Sequence, residues 1–210
     1  MGVVCEQPHR SKKHNLNRSQ IEITNNTYSI TSSVNYPNKE YSSDDIYPPF
    51  DTKTETNNNY MSNIALKLHN EYREKYGAKK LELNDELIDL AQKYSEKCAM
   101  TDSEDHCPFL YEGRPIGENI EVLDKTKFDV SKICRKWYEE KNEFNFGELV
   151  YQSECRHFTQ MIWKDSIYVG FGLSTSNTGQ NYFVAYYFPA GNIFDKFKTN
   201  LSEKKKSHNK

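Results

Sequence analysis

CRHFTQMIWKDS, Cys155 to Ser166, compresses an imidazole, a hydroxyl, an amide and several large apolar side chains into one short segment. Phe158, Met161 and Ile162 fall at i, i+3 and i+4, so the spacing predicts a short helix with those three side chains buried. His157 and Gln160 are then left at or beside the edge of the buried stripe. A histidine so placed can be a ligand, a catalytic base, or a core residue with both ring nitrogens satisfied. The residue types alone leave all three readings open.

Two strand-like runs follow the segment. YVGFGLS (168–174) and NYFVAYYF (181–188) flank the turn-rich SNTGQN, a pattern that predicts an antiparallel hairpin. Upstream, Ile64, Leu68, Tyr72 and Tyr76 recur every four residues and stop at Gly77, so residues 62–76 read as an amphipathic helix with a glycine stop. Asn84 is placed as the N-cap of a second helix whose first turn holds Asp85 and Glu86 and whose buried face carries Leu87, Ala91, Tyr94 and Cys98. A third helix is expected where Val130, Ile133, Cys134, Trp137 and Lys141 share a side. His69 reads as a tether from the first helix to the sheet. Arg73 reads as a surface residue with at most a weak pairing near Glu74 or to Glu71.

The rest of the chain is of a different character. Only 36% of the 210 residues are hydrophobic, and the mean hydropathy is −0.91, so part of the chain is expected to lie outside any packed core. Residues 1–60, rich in Asn, Ser, Thr, Lys and Tyr, are expected to form a disordered N-terminal extension, because such a composition buries too little to offset its ordering entropy. The folded domain is then 61–197, followed by a charged flexible tail over 198–210. Lys+Arg 28 against Asp+Glu 30 leaves a net charge of −2, which argues against a nucleic-acid partner. Five irregularly spaced cysteines with no C-x-x-C pair read as a reduced set, and the first thirty residues lack the apolar run of a secretory signal. MGVVCE places Gly2 for N-myristoylation and Cys5 for palmitoylation, with Glu6 where the pattern asks for Ser or Thr. Arg10, Lys12, Lys13 and Arg18 behind them would add a basic signal to an acyl anchor.

HNEYREKYG (69–77), GENI (117–120), RHFTQMIWKDS (156–166) and YYFPAGNIF (186–194) resemble, in order and spacing, the four sequence blocks of the CAP superfamily of cysteine-rich secretory, antigen 5 and pathogenesis-related proteins. The likeness covers about residues 60–197. Ala185 stands where secreted members carry a cysteine, and with the PAGN wording this resembles the intracellular, Golgi-associated branch and non-secreted venom allergen-like proteins. The resemblance implies an α+β fold, an α-β-α sandwich with a central antiparallel sheet between helical layers. It also implies a cleft lined by His106, Glu118, Glu140 and His157, with Glu139 an alternative to Glu140.

Two neutral imidazoles, His106 and His157, could hold Zn²⁺, with Glu118 and Glu140 orienting them or binding through water. Two protein ligands are fewer than the three usual in catalytic zinc sites, and no H-E-x-x-H occurs in the chain. The expected function is therefore a non-enzymatic, membrane-peripheral module, cytoplasmic and associated with Golgi or other endomembranes. Its expected partners are acidic phospholipids or sterols, and protein partners or a second copy in a homodimer. A secreted, venom allergen-like sterol or lipid binder and a zinc-dependent hydrolase are the alternatives.

Overall fold

The computed structural model describes residues 20–24, 27–31, 52–104 and 110–203, with side chains from residue 59 onward. The chain forms two units, residues 1–49 and 50–210. In the first, β1 (Gln20–Thr24) and β2 (Thr27–Thr31) pair antiparallel with Gln20 opposite Thr31. QIEIT and TYSIT each alternate apolar and polar residues, a period-2 signal too short to stand out within a polar region.

The second unit opens with helix α1 (Thr52–Lys75), which begins ten residues before the expected 62 and ends ahead of Gly77, whose φ is +69°. After β3 (Glu82–Leu83) comes α2 (Asp85–Thr101), capped by Asn84 Oδ1, which accepts the Leu87 N–H at 2.9 Å. The short strands β4 (Leu110–Tyr111) and β5 (Arg114–Pro115) precede β6 (Gly117–Asp124), and α3 (Val130–Glu139) follows. Next are α4 (Arg156–Met161), the hairpin strands β7 (Tyr168–Thr175) and β8 (Gln180–Phe188), and a terminal turn of helix, α5 (Phe197–Asn200). GENI therefore starts a strand.

The main sheet runs β3-β7-β8-β6, antiparallel except for the two-residue β3–β7 pairing, which is parallel. Strand alternation gives it two apolar faces. Tyr182, Val184, Tyr186 and Ile120 pack with Leu87, Ala91, Tyr94 and Cys98 of α2, the four residues expected on that helix's buried face. Phe171, Phe183, Ala185 and Tyr187 face α1, α3 and α4. The result is the expected α-β-α sandwich. Helix α2 lies so close to β7 that a Cβ on Gly170 would stand 2.2 Å from the Leu87 carbonyl carbon, and one on Gly172 2.3 Å from that of Ala91. Only glycine fits at those two strand positions.

Helix α1 corrects the sequence reading of its own face. The residues it buries are Met61, Ser62, Ala65, His69, Tyr72, Arg73 and Tyr76, while Ile64 and Leu68 flank this stripe half-buried. Arg73 is 0% exposed, and its expected surface pairing is replaced by four bonds to backbone carbonyls: Lys79 at 2.7 Å, Met161 at 2.9 Å, and Trp163 and Ser166 at 2.8 Å. A guanidinium pays its desolvation only when its fork is filled this completely. The chain also stays packed beyond Phe197: Asn200 and Leu201 are buried, and the Asn200 side chain bonds Asp165 N at 2.8 Å and Asp165 Oδ2 at 3.0 Å.

Candidate functional site

Most polar groups of CRHFTQMIWKDS that the fold buries hold helix α4 in place; among the described residues, two of its buried side-chain atoms have no partner, Trp163 Nε1 and His157 Nε2. At the helix start Glu140 Oε2 accepts the backbone N–H groups of His157 and Phe158, each at 3.0 Å. Those N–H groups lack partners inside the helix, so the carboxylate acts as its cap. Beyond the helix end, the Arg73 fork binds the carbonyls of Met161, Trp163 and Ser166. Gln160, expected at the stripe's edge, is 1% exposed. Its side chain fills the space left by two glycines: a Cβ on Gly117 would lie 2.1 Å from Gln160 Oε1, and one on Gly191 2.6 Å from it. Gln160 Oε1 accepts Gly191 N–H at 2.8 Å, and Gln160 Nε2 donates to Ser166 Oγ at 3.2 Å. Thr159 Oγ1 bonds Asn192 Oδ1 at 2.6 Å, so the blocks GENI, FTQ and PAGN meet at one joint.

Of the two unpartnered atoms, His157 Nε2 is the one with a lone pair to offer. The Nδ1–H of the same ring donates to Glu140 Oε1 at 2.6 Å. Trp137 stacks with the imidazole at a centroid distance of 5.5 Å and 16° between planes. The remaining nitrogen, Nε2, is buried and has no hydrogen-bond partner among the described residues. Because Nδ1 carries the proton, the neutral ring leaves a bare lone pair on Nε2. A buried acceptor without a partner costs about 1–3 kcal/mol, which makes this atom the place where a ligand, water or ion fits.

The other sequence-derived residues sit as follows. Glu140 and His157 are in direct contact. Glu118 lies half-buried on β6, opposite Tyr186 in the ladder, so the pleat places it on the α2 face, while its neighbour Asn119 points to the α4 side. Glu139 is exposed and bonds Lys141 and Asn142. His106, Gly2 and Cys5 lie outside the described residues. No group of three or more His, Cys, Asp or Glu is placed to hold a metal among the described residues.

Asn119, which sequence reasoning did not connect to His157, reaches it from the sheet, and Tyr187 links Asn119 onward to His69 of α1. Asn119 Nδ2 donates to the His157 carbonyl at 3.1 Å and to Tyr187 Oη at 3.2 Å. Tyr187 Oη in turn meets His69 Nε2 at 2.7 Å, and His69 Nδ1 donates to the Ala65 carbonyl at 2.7 Å. His69 is therefore the helix-to-sheet tether expected of it, and burial pushes its pKa down to about 4. Cys98, Cys134 and Cys155 are buried, and Cys134 and Cys155 are free thiols. Burial raises Cys134 to about 12 and Cys155 to about 11, so neither is a thiolate nucleophile at neutral pH.

An α-β-α sandwich carrying a glutamate-anchored histidine at its fourth helix defines the class of protein. Residues 66–187 match the family described as CAP, the cysteine-rich secretory protein family, and the chain belongs to it. Golgi-associated plant pathogenesis-related protein 1 of Homo sapiens is 38% identical over 148 residues, covering 69% of this chain and 94% of that one. Venom allergen 5.01 of Dolichovespula maculata is 30% identical over 164 residues, covering 65% and 70%. Among solved structures, NaASP2, crystallised with Zn²⁺, shares the fold with a TM-score of 0.53 at 22% identity, over 69% of this chain and 85% of that one.

Proposed function

We propose that this chain is a non-enzymatic, membrane-peripheral binding module. Acylation at Gly2, with Cys5 as a second site, holds it at a Golgi or other endomembrane, where its domain meets acidic phospholipids, sterols or protein partners, a second copy included. Its cleft takes Zn²⁺ on His157 Nε2 together with His106, with Glu140 orienting His157. The observation that carries this reading is the buried, unpartnered Nε2 of His157, with the opposite nitrogen already fixed by a carboxylate. Carboxylate-anchored imidazoles are the usual form of a histidine metal ligand. A bound zinc ion would supply Lewis acidity there. The two neutral buried thiols offer no nucleophile, which favours binding over catalysis.

Full-length protein isolated from eukaryotic cells tests both halves. It is expected to lack Met1, to carry a C14 acyl group and to float with vesicles containing phosphatidylserine, whereas Gly2→Ala stays in solution. Calorimetric titration is expected to show zinc binding that His157→Ala largely removes. Equal zinc affinity in the wild type and a His106→Ala/His157→Ala double variant would refute the cleft reading. Equal flotation of wild type and Gly2→Ala would refute the anchor.

A further inference from the structure

We infer that Glu121 is a positioning residue for His157, acting through the indole of Trp137. The inference rests on the reading of His157 as the ligating histidine of the cleft. Glu140 fixes one atom of the imidazole, Nδ1, and a ring held at one atom can still turn about that bond. The stacked face of Trp137 removes this freedom, so the direction of Nε2 depends on where the indole lies. Trp137 is fully buried and stacks both with His157 and with Phe183, the latter at 5.6 Å and 20°. Stacked rings slide in their plane at little cost; a hydrogen bond at the ring edge stops the sliding. Trp137 has one such bond, from Nε1–H to Glu121 Oε2 at 3.2 Å.

Glu121 is suited to that task by its position. It stands on β6 two residues from Asn119, hence on the same sheet face, and Asn119 already holds the His157 carbonyl. The strand thus reaches His157 twice, at its backbone through Asn119 and at its ring through Glu121 and Trp137. The other carboxylate oxygen, Oε1, receives the ammonium of Lys136, the residue before Trp137 on α3. Both oxygens are committed to the same helix. A side chain only 12% exposed and fixed at both oxygens sets the rotation of α3 and with it the plane of the indole.

The test uses the full-length chain with Glu121→Leu and Glu121→Gln, read by NMR of the His157 ring and by zinc titration. Glu121→Leu is expected to shift the His157 ring protons out of the Trp137 ring current and to weaken zinc binding about tenfold, the usual scale for a residue behind a metal ligand. Glu121→Gln keeps an acceptor for the indole and is expected to retain both signals. Trp137→Phe keeps an aromatic face but has no edge donor, and is expected to weaken zinc binding as the leucine variant does, which covers the case that Glu121→Leu does not fold. Unchanged ring shifts in Glu121→Leu, unchanged zinc affinity in Trp137→Phe, or equal losses in the Leu and Gln variants would each overturn the inference. A wild-type chain that takes no zinc would overturn the cleft reading instead, and the ring shifts would still decide Glu121.

Discussion

Replacing Arg73 with methionine should cost more stability than its place in a polar motif, HNEYR, suggests. The guanidinium donates four of its five N–H groups to backbone carbonyls, and three of those acceptors, Met161, Trp163 and Ser166, are bonded in the buried interior. Orphaning three buried carbonyls at about 1–3 kcal/mol each sums to roughly 3–9 kcal/mol. Removing a buried cation returns part of its desolvation cost, so a net loss of about 3–5 kcal/mol is expected. A domain of this size is stable by about 5–15 kcal/mol, which leaves the variant near the edge of folding. Arg73→Lys should fall between, because an ammonium keeps the charge but cannot reproduce the planar fork. Urea unfolding of the full chain, followed by the fluorescence of the buried Trp137 and Trp163, reads the difference directly. An Arg73→Met chain within about 1 kcal/mol of wild type, at unchanged denaturant slope, would refute the assignment of Arg73 as the clamp on α4.

Two further outcomes follow from buried groups. His69 has a folded pKa of about 4 against 6.5, so between those values the unfolded chain binds the proton and the folded one does not. Stability contributed by this group is therefore complete above about pH 6.5 and falls as pH drops toward 4, by on the order of 3 kcal/mol; His69→Gln should flatten that part of the stability profile, and an unchanged slope would remove His69 as its source. Gly170→Ala should destabilise by about 3 kcal/mol or more, since the new methyl meets α2 backbone rather than a movable side chain; a melting temperature equal to wild type would contradict the close α2–β7 approach.

The sequence was most legible where one period dominated. Helix α2 showed its four apolar face residues and its cap, and β7 and β8 showed their pairing, because apolar spacing and turn residues agreed there. The first half of the α1 face was misread by one position, with Ala65 and His69 buried in place of Ile64 and Leu68, while Tyr72 and Tyr76 are buried as expected. Ala65, His69, Tyr72 and Tyr76 follow a helical stripe of their own, and Arg73 lies within it, a signal available to anyone willing to bury an arginine. The hairpin of β1 and β2 was missed for the opposite reason: ten residues of alternation carry little weight inside a segment whose composition argues against a core. The first eight residues of α1, TKTETNNN, carry no apolar signal at all.

The candidate site was legible only through the family motif. Glu140 and His157 are separated by 17 residues, which matches no helical or strand repeat, and they meet because a 3₁₀ turn carries Glu140 to the start of α4. The same segment that names the site mostly builds it. Phe158, Met161 and Trp163 fill the core, Gln160 locks two glycines, and the carbonyls of 161, 163 and 166 receive Arg73. Substituting any of these residues perturbs the helix that carries His157, so a loss of function from such a change says nothing about chemistry. Nε2 of His157 is different in kind, since no hydrogen bond of the described fold depends on it. His157→Ala, which also gives up the Nδ1 bond to Glu140, mixes the two effects. A change that keeps a donor toward Glu140 while removing the Nε2 lone pair, such as His157→Asn, is the substitution that separates them.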